Sequence, residues 1–133
     1  MAGNKPETGS ITWCDLTVPN AEEVKKFYKN VVGWEDAGVK MKDDDEIYED
    51  FSMNAPGSET PMAGICHKKG SNSDLPSQWL IYITVKNLDQ SIFQCENLGG
   101  KVISGPKDMG KIGSYCVIQD PAGAVAALFQ PAD

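Results

Sequence analysis

Histidine is almost absent from this 133-residue chain: His67 is the only one. It stands beside Lys68-Lys69, without clustered partners, and reads as a solvated strand-end residue rather than a metal ligand. Basic charge is also short. Twelve Lys and Arg against nineteen Asp and Glu leave a net charge of −7, which repels phosphate backbones and anionic lipid. Neither nucleic acid nor a membrane surface is therefore an expected partner. No apolar run approaches the roughly 18 residues that span a bilayer. Met1 to Ser10 has no apolar core, so no signal peptide is expected. The four cysteines (Cys14, Cys66, Cys95, Cys116) are far apart and form no C-x-x-C pair. Without an export signal they are expected as reduced thiols in the cytoplasm. There is no G-x-S-x-G, no phosphate-cradling glycine loop and no zinc-finger spacing.

What is present suits one globular domain: 41% hydrophobic and 23% charged residues. Residues 1–9 read as a flexible N-terminal tail and 10–133 as a single domain. Ile11 to Val18 alternates as a strand and Pro19-Asn20 stops it. Asn20 is placed to cap a helix, with Glu23 reaching back as in a capping box. Ala21, Val24, Phe27 and Val31 recur at helical spacing, and Gly33 suits the left-handed residue that ends the helix. Trp34–Met41, Ile47–Met53 and Pro61–His67 read as strands. Between the first two, Asp43-Asp-Asp-Glu46 reads as a solvated turn. After Gly70-Ser-Asn-Ser-Asp74 the pattern restarts. Trp79–Val85 is a strand, Asn87 a cap, and Leu88, Ile92, Cys95 and Leu98 a helical stripe. Lys101–Ser104, Tyr115–Gln119 and Ala124–Phe129 follow as strands, separated by Gly105-Pro106 and by Asp120-Pro-Ala-Gly123.

The restart is an internal repeat. At an offset of 67, Val85 matches Val18, Asn87 matches Asn20, Asn97 matches Asn30 and Gly100 matches Gly33. Farther on the offset is 63, and Met62-Ala-Gly-Ile65 aligns with Val125-Ala-Ala-Leu128. One strand–helix–three-strand unit occurs twice, over about 10–68 and 78–131. The fold class is α+β: two βαβββ modules forming a curled mixed sheet around a cleft.

Leu16-Thr-Val-Pro-Asn20 leading to Lys26-Phe-Tyr28 and Val32-Gly-Trp34, then Met62-Ala-Gly-Ile65, carry a family resemblance. So do Tyr82-Ile-Thr-Val85, Leu98-Gly-Gly100 and Asp120-Pro-Ala-Gly-Ala124. From about Ser10 to Gln130 the chain resembles the vicinal oxygen chelate superfamily of glyoxalase I, bleomycin-resistance proteins and extradiol dioxygenases. That resemblance implies a divalent metal held by His, Glu or Gln, one each on the first and fourth strands of both modules. The corresponding positions here are Trp13, Gly64, Leu80 and Ala127, none of which donates a lone pair. No metal and no other cofactor is expected.

The expected function is a metal-free cleft that binds a small, partly apolar molecule. The alternative is a lyase, isomerase or dioxygenase-like enzyme of the superfamily working without metal or with an atypical metal site. Trp13 would stack on a planar ligand or fill the vacated corner. Asp15 and Tyr82 occupy equivalent places in the repeats. As a catalytic pair they would supply a general base and a hydrogen-bond donor; otherwise Asp15 accepts structural hydrogen bonds at a strand end. Cys66 points inward by alternation and reads as a buried structural thiol, with His67 on the opposite face. Tyr48, Phe51, Met53 and Met62 would wall the pocket or join the core. Lys107, Asp108 and Lys111 are placed on a glycine-rich loop. A homodimer is the expected assembly.

Overall fold

The computed structural model describes residues 5–133. In chain order the elements are β1 (Ile11–Val18), α1 (Ala21–Val32), β2 (Glu35–Asp43), β3 (Glu46–Asn54) and β4 (Pro61–His67). After a short 3-10 turn come β5 (Trp79–Thr84), α2 (Leu88–Asn97), β6 (Lys101–Asp108), β7 (Gly113–Gln119) and β8 (Val125–Pro131). They form two compact units, one of Cys14–Trp79 and one of the N-terminal residues through Trp13 with Leu80–Asp133.

Each unit is a strand, a helix and three further strands, so the fold is α+β. In the first the strand order is β2-β3-β4-β1, and in the second β5-β8-β7-β6. β1 runs parallel to β4 and β5 parallel to β8; the remaining pairs are antiparallel. The repeat persists at the level of single backbone pairings. Asp15 lies opposite Gly64, Leu16 opposite Ile65 and Thr17 opposite Cys66. In the second unit Tyr82 faces Ala127, Ile83 faces Leu128 and Thr84 faces Phe129. These are the same pairs displaced by the two offsets read from the sequence.

The core of the first unit gathers Leu16, Val18, Ala21, Phe51, Met53 and Ile65, with Val24, Tyr28, Trp34 and Trp79 packed on it. The Tyr28 hydroxyl accepts from Trp79 Nε1 at 3.0 Å, which satisfies an indole donor that burial would otherwise strand. This anchoring sets the rotation of α1. Its inward face centres on Ala21 and Tyr28, so Phe27 and Val31 are turned outward, 56% and 61% exposed, against the sequence expectation. Lys25 covers the edge of that face, its Nζ 4.2 Å from the centroid of the Phe51 ring. The expected capping box does not form: Asn20 makes no side-chain cap, and its amide instead donates to Glu23 Oε1 at 3.1 Å. Gly33 ends α1 at φ 81°. Asn87 does cap α2, accepting from the Gln90 amide at 3.0 Å.

Lys29 lies 2.6 Å and Lys25 3.4 Å from the Asp36 carboxylate. The hydrogen bond from Lys29 holds that carboxyl below its usual 3.8, helped by the charge of Lys25 against the opposing effect of burial. A lowered folded-state value stabilises above the unfolded carboxylate range and is lost as pH falls through it. Asp36→Asn is therefore expected to cost about 0.5–1 kcal/mol at neutral pH. The difference should shrink as pH falls through the lowered folded-state value, as urea unfolding at neutral pH and at about pH 2 would show.

In the second unit the core is Leu88, Cys116 and Leu128, with Ile83, Val85, Ile92, Val102 and Ile118 around it. β6 continues through Gly105-Pro106, which the sequence reading took as a separator. Shifts in its pairing with β7 between Val102 and Lys107 accommodate the two residues. Lys107 and Asp108 are thus strand residues, and only Lys111 of that trio lies in the turn. Of the expected tail, residues 1–4 lie outside the described residues. Over the rest, Gly9 N–H donates to the Thr84 carbonyl at 2.7 Å, Thr84 N–H to the Ser10 carbonyl at 2.8 Å, and Lys5 pairs with Asp133 at 3.0 Å. Among the described residues no helix is long and apolar enough to cross a membrane.

Candidate functional site

Strand alternation sorts the residues of the first unit onto two faces. Phe51 pairs with Ile65, and Ile65 with Leu16, so these three share the helix-covered face. Phe51 is buried there. The expectation that it lines a pocket with Asp15 is corrected: its side chain belongs to the core, with Met53.

The opposite face carries Asp15 and Thr17 on β1, Met62, Gly64 and Cys66 on β4, and Tyr48 and Asp50 on β3. The structure therefore brings Asp15, Cys66, Met62 and Tyr48 onto one surface, with Met62 53% exposed and the other three half-buried. Trp13 and Tyr82, both half-buried, belong to the second unit. Tyr82 packs there against Tyr115 at a ring separation of 6.1 Å.

Sequence reasoning missed Asp50. It is only 6% exposed, and a carboxylate so deeply placed needs donors. It has three: the His67 backbone N–H at 2.8 Å, His67 Nδ1 at 3.2 Å, and the Cys66 thiol. His67 is accordingly not a solvated strand-end residue; its side chain is 16% exposed. The signal was an acid in mid-strand between Tyr48 and Phe51, on the face where Cys66 emerges from the neighbouring strand.

Burial, and then the charges of Asp15 and Asp50 with the Asp50 hydrogen bond, push the Cys66 thiol far up. Cys66 is thus a protonated structural thiol and not a nucleophile. Burial and the nearby Cys95 raise Cys116 to about 11, and burial with Asp15 raises Cys14. Burial with the charges of Asp50 and Asp43 also raises Tyr48, which keeps its hydroxyl proton. Iodoacetamide near neutral pH should therefore label Cys66 and Cys116 at least about tenfold more slowly in the folded protein than in urea. Peptide mass mapping would check this; rapid folded-state labelling of Cys66 would contradict the assignment.

A separate open concavity of about 790 Å³ lies along α2 in the second unit, walled by Val85, Cys95, Leu98, Ile118 and Leu128. None of the residues expected from the sequence to form a site lines it.

The doubled βαβββ arrangement and its strand registers define a class. Residues 10–128 match the Glyoxalase/Bleomycin resistance protein/Dioxygenase superfamily, and the chain belongs to it. It is 26% identical over 129 residues to CFP32 of Mycobacterium tuberculosis, provisionally named a glyoxylase, covering 95% of this chain and 46% of that protein. To the anthracycline biosynthesis protein DnrV of Streptomyces peucetius it is 27% identical over 130 residues, covering 92% of this chain and 47% of that one. The chain thus spans about half the length of these curated relatives. Methylmalonyl-CoA epimerase from Mycobacterium tuberculosis shares the fold, with a TM-score of 0.55 at 15% identity over 98% of this chain and 95% of that one.

Proposed function

We propose that this chain is a glyoxalase/bleomycin-resistance-like protein with a metal-free cleft that binds a small, partly apolar molecule. The observation that carries the reading is the sheet face of the first unit opposite α1. Along it run an exposed Met62, then half-buried Asp15 and Cys66 and, at the far end, half-buried Tyr48, the mix of apolar wall and few polar groups that small-molecule sites share.

The donor set speaks against the metal that the family pattern implies. An indole (Trp13), a hydrogen (Gly64), an isobutyl group (Leu80) and a methyl (Ala127) stand at the four ligand positions. Among the described residues no three His, Cys, Asp or Glu side chains gather into a group that could hold an ion. These residues do not fit a divalent ion.

A thermal-shift screen tests the reading. Its panel would hold an anthracycline, bleomycin and methylmalonyl-CoA, compounds suggested by the family and relatives. A ligand at about one hundred times its Kd adds about 2.7 kcal/mol, or roughly 10 °C for a domain of this size. Met62→Glu should abolish the shift. No shift with any compound, or one indifferent to Met62→Glu, would overturn the proposal.

The enzyme alternative takes its motive from Asp15, a carboxylate on the same face as the Tyr48 hydroxyl. Asp15→Asn should then abolish turnover, and retained activity would remove it. The proposal includes a cytoplasmic homodimer, which light scattering would test for assembly.

A further inference from the structure

His67 closes β4, and β3 holds it in place. In its ionised form the buried Asp50 has only lone pairs to offer. Its 3.2 Å contact with Nδ1 therefore places the ring proton on that nitrogen and leaves the lone pair of the neutral ring on Nε2. The carboxylate is itself fixed by the His67 backbone N–H at 2.8 Å and by the Cys66 thiol. Two aromatic rings flank the imidazole: Tyr48 at 5.5 Å in an edge-on arrangement and Phe51 at 6.2 Å. Orientation is thus set by packing as well as by hydrogen bonding. The His67 side chain is 16% exposed, and Nδ1 is the nitrogen turned to Asp50. Lys69 lies with its Nζ 4.9 Å from the Tyr48 ring centroid, paired to Glu46 at 2.8 Å.

We infer that Asp50 and His67 form a directed proton acceptor, whose Nε2 takes the hydroxyl proton of a small phenol or enol lying against Tyr48. The inference rests on the proposed binding function only for the presence of a small ligand. The aromatic wall favours a planar molecule. Only an acidic phenol or an activated enol, with a pKa close to that of an imidazolium, gives up its proton to the ring, whereas an unactivated phenol, at about 10, keeps it. In the transfer the ligand O–H bond breaks, its electron pair stays on oxygen, and an Nε2–H bond forms. The imidazolium is balanced by the Asp50 carboxylate. Asp50 is the positioning residue, acting through the ring.

The single histidine makes the test unambiguous. Nitrogen-15 spectra of the imidazole in the full chain, taken where the ring is neutral, should show a protonated Nδ1 and a bare Nε2. Adding 4-nitrophenol, at a pH where the free probe is still mainly the phenol, should move the Nε2 signal toward its protonated position and shift the probe's absorbance to that of the phenolate. His67→Gln should weaken 4-nitrophenol binding about tenfold. Asp50→Asn should erase the tautomer preference while the amide spectrum stays dispersed, and Asp50→Glu should restore part of it. A wild-type ring protonated at Nε2 would overturn the assignment. So would a ring protonated at Nδ1 whose Nε2 ignores 4-nitrophenol, since the pair would then be a structural contact alone. The thermal-shift panel judges the wider binding proposal separately.

Discussion

Replacing Asp50 by alanine is expected to lower the unfolding free energy by about 3 kcal/mol. The side chain is buried and accepts from one backbone amide and two side chains. Truncation removes hydrogen bonds to a charged acceptor, each contributing about 1.5–3 kcal/mol, and leaves the His67 amide with no partner in a place that water reaches poorly. Part of this is offset because the carboxylate no longer has to be desolvated. Asp50→Asn should cost less, since the amide oxygen can still accept from the His67 N–H while its nitrogen confronts the other donors. Urea unfolding of the three proteins would rank them. A loss below about 1 kcal/mol for Asp50→Ala would mean that β4 is held at this point by packing, and that the carboxylate does not anchor the imidazole.

Ile65→Ala should be comparably severe, at about 2–5 kcal/mol, or roughly 8–20 °C in Tm. Ile65 is completely buried and sits in register between Leu16 on β1 and Phe51 on β3. Neighbouring strands clamp the backbone on both sides and limit collapse of the vacated space. Ile65→Val removes a single methylene and is expected to cost about 0.5–1.5 kcal/mol. Calorimetry on both variants would separate a cavity effect from general loosening. Equal losses in the two would contradict the packing account.

β1 and β4 were legible to their end residues because both are bounded by turn-forming sequence. The repeat was legible because Asn20, Asn30 and Gly33 recur as Asn87, Asn97 and Gly100 at one displacement, and the paired registers show that the repeat is structural. Features that depend on distant partners were not legible. Phe51 could be placed on either face until its pairing with Ile65 was known. The rotation of α1 depends on the Tyr28 hydroxyl meeting an indole far along the chain, which no local spacing reports. β6 runs on through a Gly-Pro pair because an irregular stretch absorbs it, contrary to the usual meaning of that dipeptide. Asp50 was hidden for the same reason as Phe51: a mid-strand acid looks solvent-facing until its neighbours across the sheet are identified.

The hydrogen bonds of Gly9 and Ser10 to Thr84 tie the opening of the polypeptide to the later unit instead of the one it leads into. On the ribosome, the segment ahead of Cys14 therefore has to wait until Thr84 has emerged, while Cys14–Trp79 can already condense. An affinity tag or fusion joined directly upstream of Gly9 would consequently burden the unit that holds Thr84 and not Cys14–Trp79.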